Sequence, residues 1–176
     1  MSNIKLVPVK ETEKVQFIKA IQTAFQKSYE TTFGHQKALV LPSSDIEASF
    51  NTPGSRAYFA VLDDAIVGGT VLVIDDVSHC NKLELLYVAD GVQSKGIGQK
   101  IWQALEAAYP GTKTWETHTP YYDKRNIHFY VNRCGFKIVE FFNIKHRDPH
   151  QEGDQVGGLP LELGINFFRF EKEMGS

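Results

Sequence analysis

The amino-acid sequence predicts an α/β fold in which helices pack in layers against a mixed β-sheet. Helical and β-forming segments alternate along the chain without internal repeats or low-complexity stretches. From residue 83 onward the order is strand, glycine loop, helix, strand, helix, strand. The length of 176 residues and the apolar content of 42% suit one domain with a substantial core. We therefore assign residues 1–176 to a single domain.

The first third of the chain predicts a strand followed by two helices. Residues 4–9 are expected to form the strand, and residues 12–29 carry apolar side chains at helical spacing. Ser44 with Glu47 three residues later is typical of a capping box, so a short helix is expected from there through Phe50. The predicted apolar side of the longer helix consists of Val15, Ile18, Ile21 and Phe25.

Two β-rich segments follow, at residues 56–62 and 66–74. The short stretch 63–65 between them contains two aspartates, which predicts a hairpin turn. Gly68 and Gly69 interrupt the second segment, which indicates a bulge or a bend.

A glycine-containing loop at residues 93–98 is the most informative feature, because it lies between the apolar run 83–88 and an amphipathic helical pattern. The first turn of a helix has backbone N–H groups without partners and the positive end of the helix dipole, so it can bind a phosphate. Gly96 and Gly98 lack Cβ atoms, which would let a diphosphate approach the main chain, and Lys95 adds a cation. The predicted packing face of the following helix consists of Ile97, Ile101, Leu105 and Ala108.

Two other phosphate-binding motifs fit this loop less well. A Walker loop needs a Gly-Lys-Ser/Thr end, which the chain does not have. A dinucleotide fingerprint needs a third glycine where Ile101 stands, although Glu116 lies at about the right distance for a ribose contact. A dinucleotide-binding oxidoreductase therefore stays open only as a weaker alternative.

The last third predicts three strands and a helix. The strands are expected at residues 114–119, 136–144 and 161–170, and the proline- and glycine-containing stretch 147–160 is expected to be an irregular loop. Apolar residues at helical spacing predict a helix that ends at Gly135, where a left-handed residue is favoured. The apolar stripe of that helix is Ile127, Tyr130, Val131 and Cys134.

Three motifs in this order carry a family resemblance: the strand 83–88, the Gln-x-x-Gly-x-Gly loop, and the segment 126–136 with its Phe-Tyr and Gly-Phe pairs. Together they resemble the GNAT superfamily of acyl-CoA-dependent N-acyltransferases. The resemblance implies a central, mostly antiparallel sheet of about six to seven strands flanked by helices. It also implies transfer of an acetyl group from acetyl-CoA to a primary amine, by direct attack in a ternary complex.

The resemblance further implies how acetyl-CoA binds. Backbone groups of the strand that ends at Val88 would bind the pantetheine arm, the Val88 amide would polarise the thioester carbonyl, and the glycine loop would hold the diphosphate. Asn126 is expected to bind the pantetheine or to cap the last helix. The complete set of expected cofactor-binding residues is Leu86, Tyr87, Val88, Gln93, Ser94, Lys95, Gly96, Ile97, Gly98, Gln99 and Asn126.

A thioester is already electrophilic, so this chemistry needs a proton acceptor and a proton donor but no protein nucleophile. Glu84 is the first candidate for the base, because in a regular strand it shares a face with Leu86 and Val88. Glu116 and His118 on the next strand remain alternatives.

The resemblance assigns the role of acid to Tyr130, which would protonate the departing thiolate. Four residues separate Tyr130 from Gly135, where many family members have three. One additional helical residue rotates a side chain by about 100°. Either the helix is wound differently at this place, or the hydroxyl is displaced.

Composition and charge limit the partners. A formal net charge of −2 gives no general attraction to nucleic acid, and the longest apolar run, residues 65–74, is too short for a bilayer. We therefore expect a cytoplasmic protein with neither nucleic-acid nor membrane partners. Cys80 and Cys134 have no metal-site spacing, and the His, Asp and Glu residues that follow residue 145 are interpreted as a solvated loop, so no metal is expected.

The acceptor is expected to be a small-molecule or peptide amine, and the sequence does not identify it further. Whether the protein forms a homodimer also stays open. A CoA-binding or CoA-sensing module without turnover is the main functional alternative.

Overall fold

The computed structural model describes residues 3–35, 41–92, 96–149 and 166–175. These residues form one sheet with helices on both of its faces. The strands are β1 (Lys5–Pro8), β2 (Ser55–Leu62), β3 (Ala65–Val73), β4 (Cys80–Val88), β5 (Thr114–Pro120), β6 (Lys137–Phe142) and β7 (Phe167–Glu173). The helices are α1 (Lys14–Phe33), α2 (Ser43–Asn51), α3 (Ile97–Ala108) and α4 (Lys124–His128).

The sheet has seven strands in the order β1-β2-β3-β4-β5-β7-β6 among the described residues. Neighbouring strands run antiparallel, with the exception of the central pair β4 and β5, which is parallel. The predicted fold class, a mixed and mostly antiparallel sheet flanked by helices, is confirmed. No helix in the described ranges is both long and apolar enough to cross a bilayer.

The predicted hairpin is present between β2 and β3. Asp63 and Asp64 both have positive φ angles, of 51° and 64°, as a two-residue turn between twisted strands requires. The strand register shifts between Ala60 and Val61, which confirms the predicted bulge. Gly68 lies beside it, and a Cβ atom at this position would lie 2.3 Å from the backbone oxygen of Tyr87. The glycine therefore permits close contact between β3 and β4.

Two apolar cores lie on opposite faces of the sheet. On one face α3 and the segment after α4 pack around two indole rings whose centroids are 5.2 Å apart. On the other face α1 and α2 cover β2, β3 and β4. The first core includes Ile101, Trp102, Leu105, Trp115, Phe136 and Phe170. The second includes Phe17, Ile21, Ile46, Phe59 and Val71.

Two of the three predicted apolar stripes each contain one wrong member, in α1 and in α3. Val15 is 68% exposed, because the buried side of α1 runs through Phe17 and Ile21 instead. Ala108 is exposed at the last position of α3. Trp102 of the same helix, which the predicted stripe does not include, is buried in the core.

The predicted capping box at Ser44 is also wrong. The helix begins one residue earlier, at Ser43, and Pro42 is its N-cap residue, with the amide of Asp45 donating to the Pro42 carbonyl at 3.1 Å. Ser44 therefore lies inside the first turn, where its side chain cannot take the capping position.

Three predictions fall wholly or partly outside the described residues. They concern Gln93, Ser94 and Lys95, most of the loop 147–160, and the beginning of the strand predicted at 161–170. Within the described part that strand begins at Phe167.

Candidate active site

The central parallel strands pair along only part of their length. Pairing runs from Cys80 opposite Thr114 to Leu83 opposite Thr117 and then stops, although β4 continues to Val88 and β5 continues beyond Thr117. The two strands therefore diverge and leave a cleft in the middle of the sheet.

Glu84 is a bulge residue at the point where the strands diverge. On the β3 side, Leu72 pairs with Leu83 and Val71 pairs with Leu85, so Glu84 has no opposite residue. A bulge shifts the alternation of side chains by one position. Accordingly Leu83 and Leu86, three residues apart, lie in the same apolar core.

This shift corrects the prediction that Glu84 shares a face with Leu86 and Val88. Those two side chains pack in or against the core under α3. The charges that act on Glu84 come from Lys82 and Glu116, which face away from that core. The carboxylate consequently lies on the face that α1 and α2 cover further along the sheet.

The surroundings of Glu84 suit a proton acceptor. Its side chain reaches solvent, but neighbouring atoms partly desolvate the carboxyl group, and this raises its pKa. The Lys82 ammonium acts in the opposite direction, and the Glu116 carboxylate adds to the rise. A carboxylate with a raised pKa accepts a proton more readily near neutral pH.

The two alternative bases have different surroundings. Glu116 lies 3.4 Å from the guanidinium of Arg169 and 3.8 Å from the ammonium of Lys82, so it is held in ion pairs. Burial lowers the pKa of His118, which favours the neutral imidazole that a base requires. Its ring stacks on Phe142 at a centroid distance of 6.1 Å. The structure thus leaves Glu84 and His118 as the better-placed candidates.

The extra residue between Tyr130 and Gly135 is absorbed by a π turn. Residues Phe129–Arg133 form this turn directly after α4, and the amide of Cys134 donates to the carbonyl of Phe129 at 3.0 Å. Both Tyr130 and Cys134 remain buried, and Gly135 has the predicted positive φ, 84°. Of the two possibilities stated above, the structure has the locally different winding.

The ring of Tyr130 packs near the last paired position of β4 and β5. Its centroid lies 5.8 Å from that of Phe170, the β7 residue that pairs with Thr117, and the Thr117 hydroxyl donates to the Leu83 carbonyl at 2.9 Å. The Tyr130 ring is 5% exposed and packs against Phe136 and other aromatic rings. Burial raises the pKa of this phenol well above its usual range.

The start of α3 has the geometry of an anion site. Gly96 is the N-cap residue with a φ of 71°, and no side chain of the described residues caps the helix there. The first helical hydrogen bond runs from the Lys100 amide to the Gly96 carbonyl at 3.1 Å. The amides of Ile97, Gly98 and Gln99 precede it and face the end of the helix.

Gly98 also serves packing. A Cβ atom at this position would lie 3.1 Å from the ring of Phe129 and 3.5 Å from the Val88 side chain. The missing side chain therefore lets the first turn of α3 approach the π turn, and the predicted contact of Gly98 with a diphosphate stays a prediction. By contrast, a Cβ at Gly96 would meet no atom of the described residues within 4 Å, so the positive φ accounts for that glycine.

The sequence profile of the acetyltransferase (GNAT) family matches residues 18–136. The chain belongs to this family. The match includes β4, the glycine loop, α3, β5 and the π turn, and it makes the protein an acyltransferase.

The chain is also similar to individual proteins. The Bacillus subtilis (strain 168) protein YrkN is 44% identical over 167 residues, which cover 94% of this chain and 90% of YrkN. A GNAT family acetyltransferase from Elizabethkingia anophelis, crystallised with acetyl-CoA, is 17% identical with a TM-score of 0.67, over 98% of this chain and 99% of that one. A Bacillus subtilis acetyltransferase in complex with CoA is 19% identical with a TM-score of 0.65, over 99% and 100% of the two chains. The two crystal structures show the common fold.

The remaining cofactor-binding candidates of this GNAT protein lie around the cleft. Leu86 and Tyr87 are buried on opposite faces of β4. Burial raises the pKa of Tyr87 to about 12. The side-chain amide of Gln99 donates to the Arg133 carbonyl at 3.1 Å, which ties α3 to the π turn. Because the side chain of Gln99 is used in this contact, its backbone amide is the group that is suited to bind the cofactor.

The capping alternative for Asn126 is wrong. Asp123 caps α4, because its carboxylate accepts a hydrogen bond of 3.0 Å from the Asn126 amide. Pantetheine binding by Asn126 stays a prediction.

Sequence reasoning missed the contacts that α1 makes across the cleft. Lys27 binds Asp90, just after β4, at 2.6 Å. Two turns of the same helix also carry Tyr29 and Phe33, whose rings pack against Tyr122, just after β5, at 5.2 and 5.3 Å. The spacing of Tyr29 and Phe33 marks one helix face, but nothing in the sequence indicates their distant partners.

Metal ligands do not assemble in the described part of this acetyltransferase: no group of three or more His, Cys, Asp or Glu side chains there could hold an ion. Of the polar residues after position 145, His150, Glu152 and Asp154 lie outside the described ranges.

Proposed function

We propose that this protein transfers the acetyl group of acetyl-CoA to a primary amine in a ternary complex. The observation that carries the proposal is the divergence of β4 and β5 at Leu83 and Thr117. A candidate base, Glu84, lies at this point, and the ring of the candidate acid, Tyr130, packs 5.8 Å from Phe170, the β7 residue opposite Thr117. Family membership supports the acyl transfer itself.

The cleft offers a place for an extended cofactor. Beyond Leu83, β4 has no β5 residue beside it, so its edge can bind the pantetheine arm as a neighbouring strand would. The Val88 amide would polarise the thioester carbonyl. The amides at the start of α3 would bind the diphosphate, helped by the positive end of the helix dipole. Gln93, Ser94, Lys95 and Asn126 complete the proposed binding set.

The reaction needs two proton transfers. The amine nitrogen attacks the carbonyl carbon, a C–N bond forms, and Glu84 takes a proton from the nitrogen directly or through water. The C–S bond then breaks, and the sulfur takes a proton from Tyr130. The products are the amide and free CoA. A proton from solvent then restores the Tyr130 phenol, and Glu84 releases to solvent the proton that it took from the amine.

The acceptor is a small-molecule or peptide amine that enters on the side of α1. On that side α1 contacts both diverging strands. Lys27 binds Asp90, just after β4, and Tyr29 packs against Tyr122, just after β5. A homodimer stays a prediction that sedimentation would test.

The test is an acceptor screen with acetyl-CoA in which free thiol is measured. We expect turnover with at least one amine, and a fall in kcat of about 10²-fold or more in Glu84→Gln and Tyr130→Phe, with acetyl-CoA affinity kept. Tyr109→Phe is the control, since the Tyr109 hydroxyl contacts Tyr58 rather than the cleft. Unchanged rates in both site variants would contradict the assigned roles.

A thermal-shift series with CoA, acetyl-CoA, NAD and ATP tests ligand class separately. A ligand that binds only the native state raises the melting temperature. We expect a shift with CoA and acetyl-CoA and none with NAD. A shift with acetyl-CoA but no thiol release across a broad amine panel would instead support a binding module without turnover.

A further inference from the structure

The side chain of Gln99 connects two elements of the site that are distant in the sequence. Gln99 lies in the first turn of α3, and its side-chain amide donates to the backbone carbonyl of Arg133 at 3.1 Å. Arg133 is the last residue of the π turn, which begins at Phe129 and includes Tyr130. No role described above uses this side chain in acyl transfer, because the expected contact of Gln99 with acetyl-CoA is made by its backbone amide.

The end of the π turn needs a hydrogen-bond donor from outside. The carbonyls in the last turn of a helix have no donor within the helix, and a helix that stops must find one elsewhere. At the beginning of the π turn, the Phe129 carbonyl accepts from the Cys134 amide at 3.0 Å. At its end, the Arg133 carbonyl accepts from Gln99. The first turn of α3 therefore supplies the cap of the π turn.

A second contact joins the beginning of the π turn to the same turn of α3. A Cβ atom at Gly98 would lie 3.1 Å from the ring of Phe129, so the two segments are closely packed there. The rings of Phe129 and Tyr130 are 5.2 Å apart, centroid to centroid. Two adjacent residues, Gly98 and Gln99, thus hold both ends of the π turn, and Tyr130 lies between the two points of attachment.

We propose that Gln99 is a positioning residue for the acid: by binding the Arg133 carbonyl, its side chain fixes the π turn, and with it Tyr130, relative to the first turn of α3. The inference rests on the proposed function, in which amides of that turn bind the diphosphate of acetyl-CoA and Tyr130 protonates the sulfur. The diphosphate and the sulfur belong to one molecule. Holding the two protein elements together therefore holds the proton donor in place relative to the sulfur.

The test removes the donor and keeps the length of the side chain. At saturating acetyl-CoA we expect Gln99→Met to lower kcat about five-fold, the effect of one net hydrogen bond. KM for acetyl-CoA should stay within about two-fold of wild type, because the backbone amide is unchanged. Gln99→Lys again places a donor on a side chain long enough to reach the carbonyl, and it should recover most of kcat.

Gln103→Met is the matched control. It is the same change in the same helix, one turn further along, where the side chain is exposed. Its kcat and KM should both equal those of wild type. Thermal unfolding checks that each variant is folded. If Gln99→Met does not fold, Gln99→Ala replaces it, because alanine is the best helix former.

A double variant distinguishes positioning of the acid from a general loss of packing. In Gln99→Met/Tyr130→Phe, kcat should be no lower than in Tyr130→Phe alone, because phenylalanine has no proton for Gln99 to position. A packing role would instead lower kcat by the same factor in both backgrounds.

The outcomes separate the inference from the proposed function. A slow Tyr130→Phe with a Gln99→Met of wild-type kcat would overturn the inference alone. So would a Gln99→Lys as slow as Gln99→Met, an equal loss in both backgrounds, or a raised KM with unchanged kcat, which would make the side chain a cofactor ligand. A Tyr130→Phe of wild-type kcat would overturn the acid role and the inference with it.

Discussion

The two ends of the β4–β5 pair differ in what holds the strands together. At the paired end, residues 80–83 and 114–117 form a regular parallel ladder. At the other end each strand is held from outside: β4 by β3, and both strands by α1. The same two strands thus serve as a rigid anchor at one end and as the walls of a cleft at the other.

Buried polar side chains reinforce the paired end. The side-chain oxygen of Asn81 accepts from the Asp75 amide at 2.8 Å, and its nitrogen donates to Thr112 at 2.8 Å. The hydroxyl of Thr117 closes the ladder with its bond to Leu83. The comparison teaches that stabilising contacts accumulate on one side of Glu84, so the other side can separate without loss of the fold.

The largest effect is expected at the boundary between the two ends. Glu84→Gln should lower kcat by about 10²- to 10⁴-fold, because the neutral amide cannot accept a proton. His118→Asn and Glu116→Gln should have much smaller effects at saturating acetyl-CoA. A larger loss in His118→Asn than in Glu84→Gln would transfer the role of base to His118.

The pH profile sharpens the same prediction. A base must be deprotonated, so kcat should rise with pH through the pKa of Glu84, which desolvation sets above the ordinary glutamate value. This acidic limb should disappear in Glu84→Gln. A limb that persists in that variant would contradict the assignment.

At the open end, Gly68→Ala should destabilise the protein by about 3 kcal/mol, near the upper end for an overpacked site. The added Cβ would lie 2.3 Å from the Tyr87 carbonyl oxygen and 2.9 Å from the Ile101 side chain. Urea unfolding measures the change. Gly111→Ala is the control, because a Cβ there meets no atom within 4 Å in the part of the chain that the structure describes. Equal midpoints for the two variants would show that β3 does not hold β4 as closely as described.

At the paired end, Asn81→Ala should cost about 2 kcal/mol, since it leaves the Asp75 amide without its partner. The rate at saturating substrates should not change. Asn132→Ala, at an exposed surface position, is the control for urea unfolding. A fall in kcat without a fall in stability would show that the paired end is not merely an anchor.

The smallest effects concern two carboxylates, Glu84 at the cleft and Glu140 on the edge strand β6. A raised folded-state pKa means that Glu84 stabilises the protein most when protonated, and this contribution is lost as pH rises through the folded pKa. Glu84→Gln should therefore melt at a slightly higher temperature than wild type at pH 7. Hydrogen bonds from His146 and Arg169 lower the pKa of Glu140, so its contribution is present at pH 7 and lost on acidification.

Glu140→Gln should accordingly melt at a slightly lower temperature at pH 7, and the difference from wild type should vanish at low pH. Calorimetry at both pH values checks the two signs. The same sign for both variants at pH 7 would contradict the described charge environments.

Most of the fold follows from patterns that extend over many residues. The alternation of strands and helices, the turn at Asp63 and Asp64 and the helix after Gly96 are all visible as repeated spacing or as turn residues. The bulge at Glu84 and the π turn after α4 are different, because each consists of one extra residue inside a segment that otherwise keeps its period. Periodicity averaged over a window cannot locate such a residue.

Contacts between distant parts of the chain were equally out of reach. Lys27 and Asp90 are 63 residues apart, and neither position carries a local signal of its partner. Thr117 looks like any threonine in a strand until the Leu83 carbonyl on β4, which accepts its hydroxyl proton, is known. The residues that define the cleft are therefore set by topology, whereas the glycine loop and the strand before it are set locally.

The π turn has a consequence for how relatives are compared. A chain that gained one residue between its aromatic acid and the glycine that ends the helix would lose the acid if the whole helix turned with the insertion. Here the extra residue is confined to the five residues of the π turn, and Tyr130 stays packed against Phe136 and Phe170. A motif search that demands one fixed interval would discard such a chain, although its aromatic residue is still held in the core.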